Sequence, residues 1–333
     1  MIYISALTET DMIFGGDGKL ISDSLAAIRS LSPRFAAICG SPMPMLTGTD
    51  FDAVAAQVEA DAEIPVISLH TNGMRSYLSG AAKALTSLLE RFCLPEPGKS
   101  RSGRIPVNIL GATPLDFSTN GQIESIRDLL TANGFEIVSV MAMGASLNEI
   151  AQAGRARVNL VISSSGLAAA EYLRTRFGTP WTAGVPYGEK TAAALIRKLK
   201  ESAESGESFS FCADRMEPDE RQRLLIVGES VGAGSLAKAA QDEFGIPACA
   251  AFPDALQPVI GAAHDRFLAD EDDAFHVFRE SCGVVADPLY LPACPGSIPF
   301  HPLPHEAFSG RCFRGRIPNL IGGGLTRSFF ESC

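Results

Sequence analysis

The chain of 333 residues contains no C-x-x-C pair, no long apolar run and no excess of basic charge. Its eight cysteines, at 39, 93, 212, 249, 282, 294, 312 and 333, share no repeated spacing. No disulfide framework is encoded, which leaves one or two thiols for metal or cluster ligation. Apolar runs stay as short as Leu224–Val227, far below the ~20 residues that cross a bilayer. No charged-then-apolar leader precedes Ser5, so a cytoplasmic protein with no membrane partner is expected. The 28 basic against 38 acidic residues give a net charge of −10. A free nucleic-acid binder would carry a basic face, so no nucleic-acid partner is expected. No G-x-S-x-G elbow or Walker A loop occurs. The glycines of 228–234 are also wrongly spaced for a dinucleotide fingerprint, since Gly228 and Gly232 are four apart. No NAD site is expected.

What is present is a globular composition, 46% hydrophobic and 20% charged, which excludes intrinsic disorder. Two stretches read as joints. Residues 94–103 are rich in Pro, Gly and Ser, and 201–208 are polar and acidic. They divide the chain into domains at 1–98, 104–200 and 218–333. Charge follows the division: 96–200 carry a net +4 and 201–333 a net −10. The positive middle predicts an interface with an acidic surface through Arg155 and Arg157.

One local pattern recurs. An apolar stretch at helical spacing ends at Gly or Glu, Pro follows, and a short strand begins. It occurs over 51–68, 167–182 and 235–250. Continuous apolar runs at 35–38, 107–110, 158–162 and 224–227 read as strands covered on both faces. This alternation predicts doubly wound parallel sheets, whose ligands sit beyond the carboxyl ends of the strands. The loops at 39–48, 111–118, 163–166 and 228–234 are the candidates. Within them Ser163 and Ser164 suit capping of the helix that follows. The run His301-Pro302-Leu303-Pro304-His305-Glu306 gathers two imidazoles and a carboxylate, but its prolines forbid the helix that would align them on one face. It reads as a turn with solvated or internally bonded histidines.

Several stretches resemble the component 1 family of nitrogenase and nitrogenase-like oxidoreductases. Residues 8–20, with Phe14-Gly15-Gly16 and Lys19-Leu20, are similar to that family's E-x-D-x-V-F-G-G-x-x-K-L signature. Leu46-Thr47-Gly48-Thr49-Asp50-Phe51 and Ile64-Pro65-Val66 resemble the segments after its first cluster-binding strand. Val107-Asn108-Ile109-Leu110-Gly111 and the strand–helix–strand from Asn159 to Trp181 resemble its second domain.

The resemblance implies an α/β fold of three Rossmann-like doubly wound parallel-sheet domains around a central cleft. The cleft would be lined by Ser41, Gly48, Asp50, Gly111, Ser163, Ser164 and Gly228. It also implies an oxidoreductase subunit that dimerises with a copy of itself or a related component 1 subunit. Electrons would come from an ATP-dependent iron–sulfur reductase, for a small molecule or tetrapyrrole-type substrate rather than dinitrogen. Two departures are written in the residues. The early cysteine-bearing segment is not found before the Phe-Gly-Gly signature, and Pro42 or Ser41 stands where a cluster cysteine falls, leaving Cys39 as the metal-ligand candidate. Ser163 stands where the family's catalytic subunit has its cofactor thiolate, so no molybdenum cofactor is expected. A [4Fe–4S] cluster would have to be shared with a partner subunit, because such a cluster takes about four thiolates. The alternative is a non-catalytic scaffold or cofactor-binding subunit without its own cluster.

Overall fold

Strands that read as unbroken apolar runs need cover on both faces, and every strand here pairs parallel to its neighbours. The computed structural model describes residues 1–42, 48–96, 98, 103–219, 223–254 and 259–330, without the side chains of Met12 and Phe14. The motif residues Leu46 and Thr47, most of the 94–103 stretch after Glu96, and Cys333 lie outside the described residues. The fold is α/β, and the chain forms two compact units, Met1–Arg91 and Phe92–Cys333.

In the first unit, helices α1 (Glu9–Phe14) and α2 (Asp17–Leu31) precede strand β1 (Ala36–Cys39). Helix α3 (Phe51–Ala62), strand β2 (Val66–Leu69) and helix α4 (Tyr77–Phe92) follow. The Phe-Gly-Gly signature is the turn between the first two helices. Gly15 there has φ +98°, a conformation that side chains disfavour. Thr8 begins α1 through a reciprocal capping box with Asp11. β1 and β2 form a two-stranded sheet whose core is Ile38, Phe51, Val54, Ala55, Val58 and Val66.

The second unit holds two five-stranded sheets. Strands β3 (Ile105–Leu110), β4 (Phe135–Met141), β5 (Val158–Val161), β6 (Trp181–Ala183) and β7 (Phe209–Ser210) lie in the order β4-β3-β5-β6-β7. Between them run helices α5 (Pro114–Phe117), α6 (Gln122–Ala132), α7 (Leu147–Ala151), α8 (Leu167–Phe177) and α9 (Glu189–Ser205). Strand β8 (Leu224–Val227), helix α10 (Ser230–Phe244), strands β9 (Ala248–Phe252) and β10 (Arg266–Phe267) and helix α11 (Glu271–Arg279) come next. Strands β11 (Gly283–Ala286) and β12 (Phe300–Pro302) and helix α12 (Glu306–Ser309) follow. The third sheet runs β10-β9-β8-β11-β12. Strand order reverses between β3 and β5 in one sheet and between β8 and β11 in the other. These are the switch points at which open α/β sheets leave a crevice for ligand.

Asn108 and Asn159 interrupt the apolar strands and face each other in register, with Asn108 Nδ2 donating to Asn159 Oδ1 at 2.8 Å. One sequence expectation is corrected. The 201–208 stretch is no open joint, because α9 runs to Ser205 with Ser202 and Ala203 buried, and β7 then completes the second sheet. Arg155, half-buried, and Arg157, exposed, each make a contact within their own unit. The first pairs with Glu136 at 2.6 Å, and the second donates to the Ala203 carbonyl at 3.0 Å.

A further joint is ionic. Arg215 and Asp265 have fully buried side chains and pair at 2.6 and 2.7 Å. Asp265 also accepts the N–H groups of Ala250 and Ala262, and Arg215 donates to the Cys212 carbonyl at 2.7 Å. Truncating one partner strands the other charge, so Asp265→Ala should lower the unfolding free energy by ~3–5 kcal/mol in urea titrations. The apolar double replacement Arg215→Met with Asp265→Leu should cost far less.

Candidate functional site

The two switch points of the second unit are tied together at the strand tips. After β3 the chain turns at Gly111, whose φ is +86°. A Cβ there would lie 2.8 Å from the Ser163 carbonyl, so glycine is required for both dihedral and space. Gly166 is constrained likewise, its Cβ position lying 2.5 Å from the Leu110 carbonyl carbon. These two glycines press the 111–118 and 163–166 loops against each other. Ser163 is buried and caps the short 3-10 turn that begins at Ser164, with its Oγ 3.0 Å from Ser165 Oγ and accepting the Ser165 N–H at 3.3 Å. The capping expected of Ser163 and Ser164 is thus corrected in part: Ser163 caps this turn, whereas α8 begins at Gly166 with no side-chain cap.

Ser164 reaches the third sheet. Its N–H donates to Glu229 Oε1 at 2.8 Å. Glu229 follows β8 and is the N-cap of α10, accepting from Val231 N at 3.2 Å and Gly232 N at 2.9 Å. Ser230 Oγ donates to the same carboxyl at 3.1 Å. A carboxylate at a helix N-terminus is stabilised by free N–H groups and the helix dipole. Here it is also only 4% exposed. Burial, and next the Asp116 charge, raise its pKa above the ordinary glutamate value, against the pull of its backbone donors.

Next to this joint lies a cavity of about 60 Å³, lined by Asp116, Phe117, Tyr187, Gly228, Glu229, Leu236 and His305 among others. At ~10–15 Å³ per water centre it has room for a few waters or a molecule of similar size. His305 Nε2 stands 3.6 Å from Asp116 Oδ1, and Thr113 Oγ1 donates to Asp116 Oδ2 at 2.9 Å. His305 is the N-cap of α12, its Nδ1 accepting the Ala307 N–H at 3.3 Å. The neutral ring therefore carries its proton on Nε2, facing Asp116. Burial lowers the His305 pKa and raises that of Tyr187. Asp287 holds the loop by accepting the His305 and Leu289 N–H groups and the Ser309 hydroxyl. Glu306 is clamped by Arg314 and accepts from Ser118 Oγ, joining α12 to the loop after α5.

Of the residues named from sequence, Gly111, Ser163, Ser164 and Gly228 belong to this joint; Gly228 lines the cavity and Ser164 binds its acid. Ser41, Gly48 and Asp50 belong to the first unit. There Asp50 caps α3 through the Asp52 and Ala53 N–H groups, and Ser41 and Gly48 are exposed. Sequence reasoning missed Asp116, Tyr187, Glu229 and His305 as a group. Three of them lay in stretches it had singled out, namely 111–118, 228–234 and the 301–306 run. Tyr187 carried no signal beyond following β6.

Cys39 ends β1 and is exposed, with partial burial raising its pKa. Beside it, a Cβ on Gly40 would lie 2.4 Å from the Thr71 carbonyl oxygen. Cys212 and Cys249 are buried, and desolvation pushes their thiols up to about 12 and about 11, so they are not thiolates at neutral pH. Among the described residues no three His, Cys, Asp or Glu side chains converge as a metal site. One thiol does not satisfy a four-thiolate cluster, so the donors among the described residues alone do not fit one.

Residues 1–227 match the family model for nitrogenase component 1 type oxidoreductases. The chain belongs to that family. It is 25% identical over 198 residues to the nitrogenase molybdenum-iron protein alpha chain of Methanosarcina barkeri, covering 59% of this chain and 36% of the relative. It is 30% identical over 174 residues to a light-independent protochlorophyllide reductase subunit of Rubrivivax gelatinosus, covering 45% and 31%. The chain thus spans about a third of the length of these curated relatives. Solved structures of nitrogenase Cp1 at pH 5 share the fold, with TM-score 0.58 at 18% identity over 84% of this chain and 59% of that one. Among the described residues no helix is long and apolar enough to cross a membrane.

Two measurements bear on the site. Iodoacetamide at pH 7.5 should label Cys39, Cys282 and Cys312, which are exposed, and spare Cys212 and Cys249 until the chain unfolds; peptide mass mapping reads this out. The Arg314 clamp, and then the Ser118 hydrogen bond, hold the Glu306 pKa below its ordinary value. Its contribution to stability is therefore present above the unfolded-state pKa of about 4.3 and lost as pH falls through the lower folded value. Glu306→Gln should flatten the fall in unfolding free energy between about pH 4.5 and 3.

Proposed function

We propose that this chain is a nitrogenase-like component 1 oxidoreductase subunit, which binds a small molecule at the paired strand tips of its second unit. Electrons would come from an ATP-dependent iron–sulfur reductase acting in the cytoplasm. The observation that carries the reading is the acid-lined cavity at two facing switch points, in a chain of this family. Reduction consumes protons along with electrons, and Glu229, Asp116, His305 and Tyr187 are groups that hold or move them. The side chains orient and protonate the bound molecule, while Phe117, Leu236 and Leu303 keep bulk water away.

The cavity volume bears on the substrate. At about 60 Å³ it is far below the ~300–1,000 Å³ that encloses a drug-sized ligand. A small reducible molecule fits it, whereas a tetrapyrrole ring would need a larger space than this cavity supplies. With Ser163 buried and bound to Ser165, no thiolate is available there for a molybdenum cofactor, so dinitrogen is not the substrate proposed. Any [4Fe–4S] cluster would draw on Cys39 together with thiolates of a partner, either a second copy or a related component 1 subunit.

A second reading is supported by the donor set, in which a lone strand-tip thiol is what the described residues of this chain offer to a cluster. The subunit would then bind a cofactor or scaffold its assembly without turning it over. Anaerobic purification, alone and with a co-expressed component 1 relative and reductase, separates the two by iron and acid-labile sulfide analysis. Iron present in the complex and lost in Cys39→Ala is the outcome expected of the oxidoreductase subunit. Absence of iron from every complex would sink that reading and leave the scaffold.

A further inference from the structure

The sheet of the first unit has an open side. β1 and β2 pair parallel to each other and, among the described residues, with no third strand. Along β1 the backbone groups alternate in direction. The Ala36 and Gly40 N–H groups donate to the Pro65 and Leu69 carbonyls at 2.9 and 3.3 Å, so the backbone groups of Ala37 and Cys39, of the opposite phase, point to the outer edge. The side chains of Ala37 and Cys39 are exposed, whereas their register partners Ile67 and Leu69 are buried. Natural proteins blunt such an edge with a charge, a proline or a bulge. Ala36-Ala37-Ile38-Cys39 has none of these.

The helices mark what belongs beside it. Leu20, Ile21, Leu25 and Ile28 of α2 pack on the same core as Ile38, Phe51, Val54 and Val58, so α2 and α3 cover one face. α3 is the crossover from β1 to β2, and such crossovers are almost always right-handed. A helix that lies next to it and leads into β1 has the place of a crossover from a strand on the other side of β1. Among the described residues no strand stands there, and the four α2 side chains are only half-buried.

The chain also carries a strand-forming segment without a sheet. Met1-Ile2-Tyr3-Ile4 has no charged side chain and is rich in β-formers, yet these residues are 101%, 91%, 58% and 79% exposed. Ser5 ties this arm to α2, its Oγ donating to Asp23 Oδ2 at 2.6 Å and its carbonyl accepting from Lys19 Nζ at 2.7 Å. The four residues of the arm match the four of β1 in length. Within one copy the arm stands off the edge, which leaves the edge to the arm of another.

We propose that the Met1–Ile4 arm of a second copy of this chain adds a strand to the outer edge of β1, each copy giving its arm to the other in a two-fold dimer. The arm's backbone takes up the Ala37 and Cys39 groups. Ile2 and Ile4, two apart, lie on one face and cover the half-buried α2 residues, while Tyr3 flanks Ala37 on the other. The pairing runs through the backbone in the plane of the sheet, so the Cys39 thiol stays open to reagents.

Sedimentation velocity and hydrogen exchange on the full chain test this. The parent is expected to form a concentration-dependent dimer in which the Ala37 and Cys39 amides are protected. Ile2→Asp with Ile4→Asp alters side chains that are exposed in a single copy, so circular dichroism should not change. Self-association should weaken at least about a hundredfold, about tenfold or more for each isoleucine taken from the interface. The two amides should then exchange freely. Ala37→Lys introduces the charge that blocks edge pairing and should weaken the dimer to a similar degree. Added to the arm variant it should cost little more, because both changes remove one contact. A parent chain that is monomeric at every concentration overturns the proposal, whether the two amides are free or covered by the chain's own arm. A dimer that survives the arm variant overturns it as well, and so does a chain that pairs only with a component 1 relative. Should Ala37→Lys not fold, the arm variant decides alone: amide protection that persists there overturns the proposal.

Discussion

The second unit depends on one buried carboxyl. Glu229 caps α10, takes the Ser164 N–H from the neighbouring sheet and borders the cavity. A group that satisfies a helix N-terminus would ordinarily sit in water, where ionisation is free. Here the same hydrogen bonds are made in a place that penalises charge, and the acid of Asp116 adds to the penalty. Fold and chemistry therefore share an atom set. The geometry that joins the sheets is also the geometry that perturbs the acid, which is how functional sites commonly arise.

The surrounding contacts are of two kinds. Close backbone approach at Gly111 and Gly166 fixes the strand tips sterically, and ionic clamps fix the polypeptide beyond them. Arg215 with Asp265 secures the approach to β8 and β9, and Arg314 with Glu306 secures the short helix that follows β12. Asp287 adds a third anchor through three hydrogen bonds. The cavity walls are thus held by interactions that lie outside the cavity, while Asp116, Glu229 and His305 are themselves hydrogen-bonded within the fold.

Family membership and donor set pull in different directions in this chain. The component 1 family model covers residues 1–227, yet Cys39 is a single thiol at a strand tip and Ser163 is occupied as a cap. The second unit gathers oxygen and imidazole groups at one cavity, Asp116, Tyr187, Glu229 and His305, and the reduction proposed above would use them to hold or move protons.

Much of the framework was readable from residues alone, because parallel strands buried on both faces leave unbroken apolar runs and helix ends leave Gly and Pro. The runs at 107–110, 158–162 and 224–227 became β3, β5 and β8, and the 167–177 helix has the bounds its spacing suggested. The acidic 201–208 stretch misled because polar residues on the solvent face of a helix look like a joint when only composition is read. The four cavity residues lie 116, 187, 229 and 305 along the chain, in loops whose sequences have no common spacing. Local pattern encodes local structure, so it determined the strands, their tips and the parallel class. Only the packing of one sheet's switch point against another's decided that Asp116, Tyr187, Glu229 and His305 share a space, since burial and mutual charge are properties of residues distant in sequence.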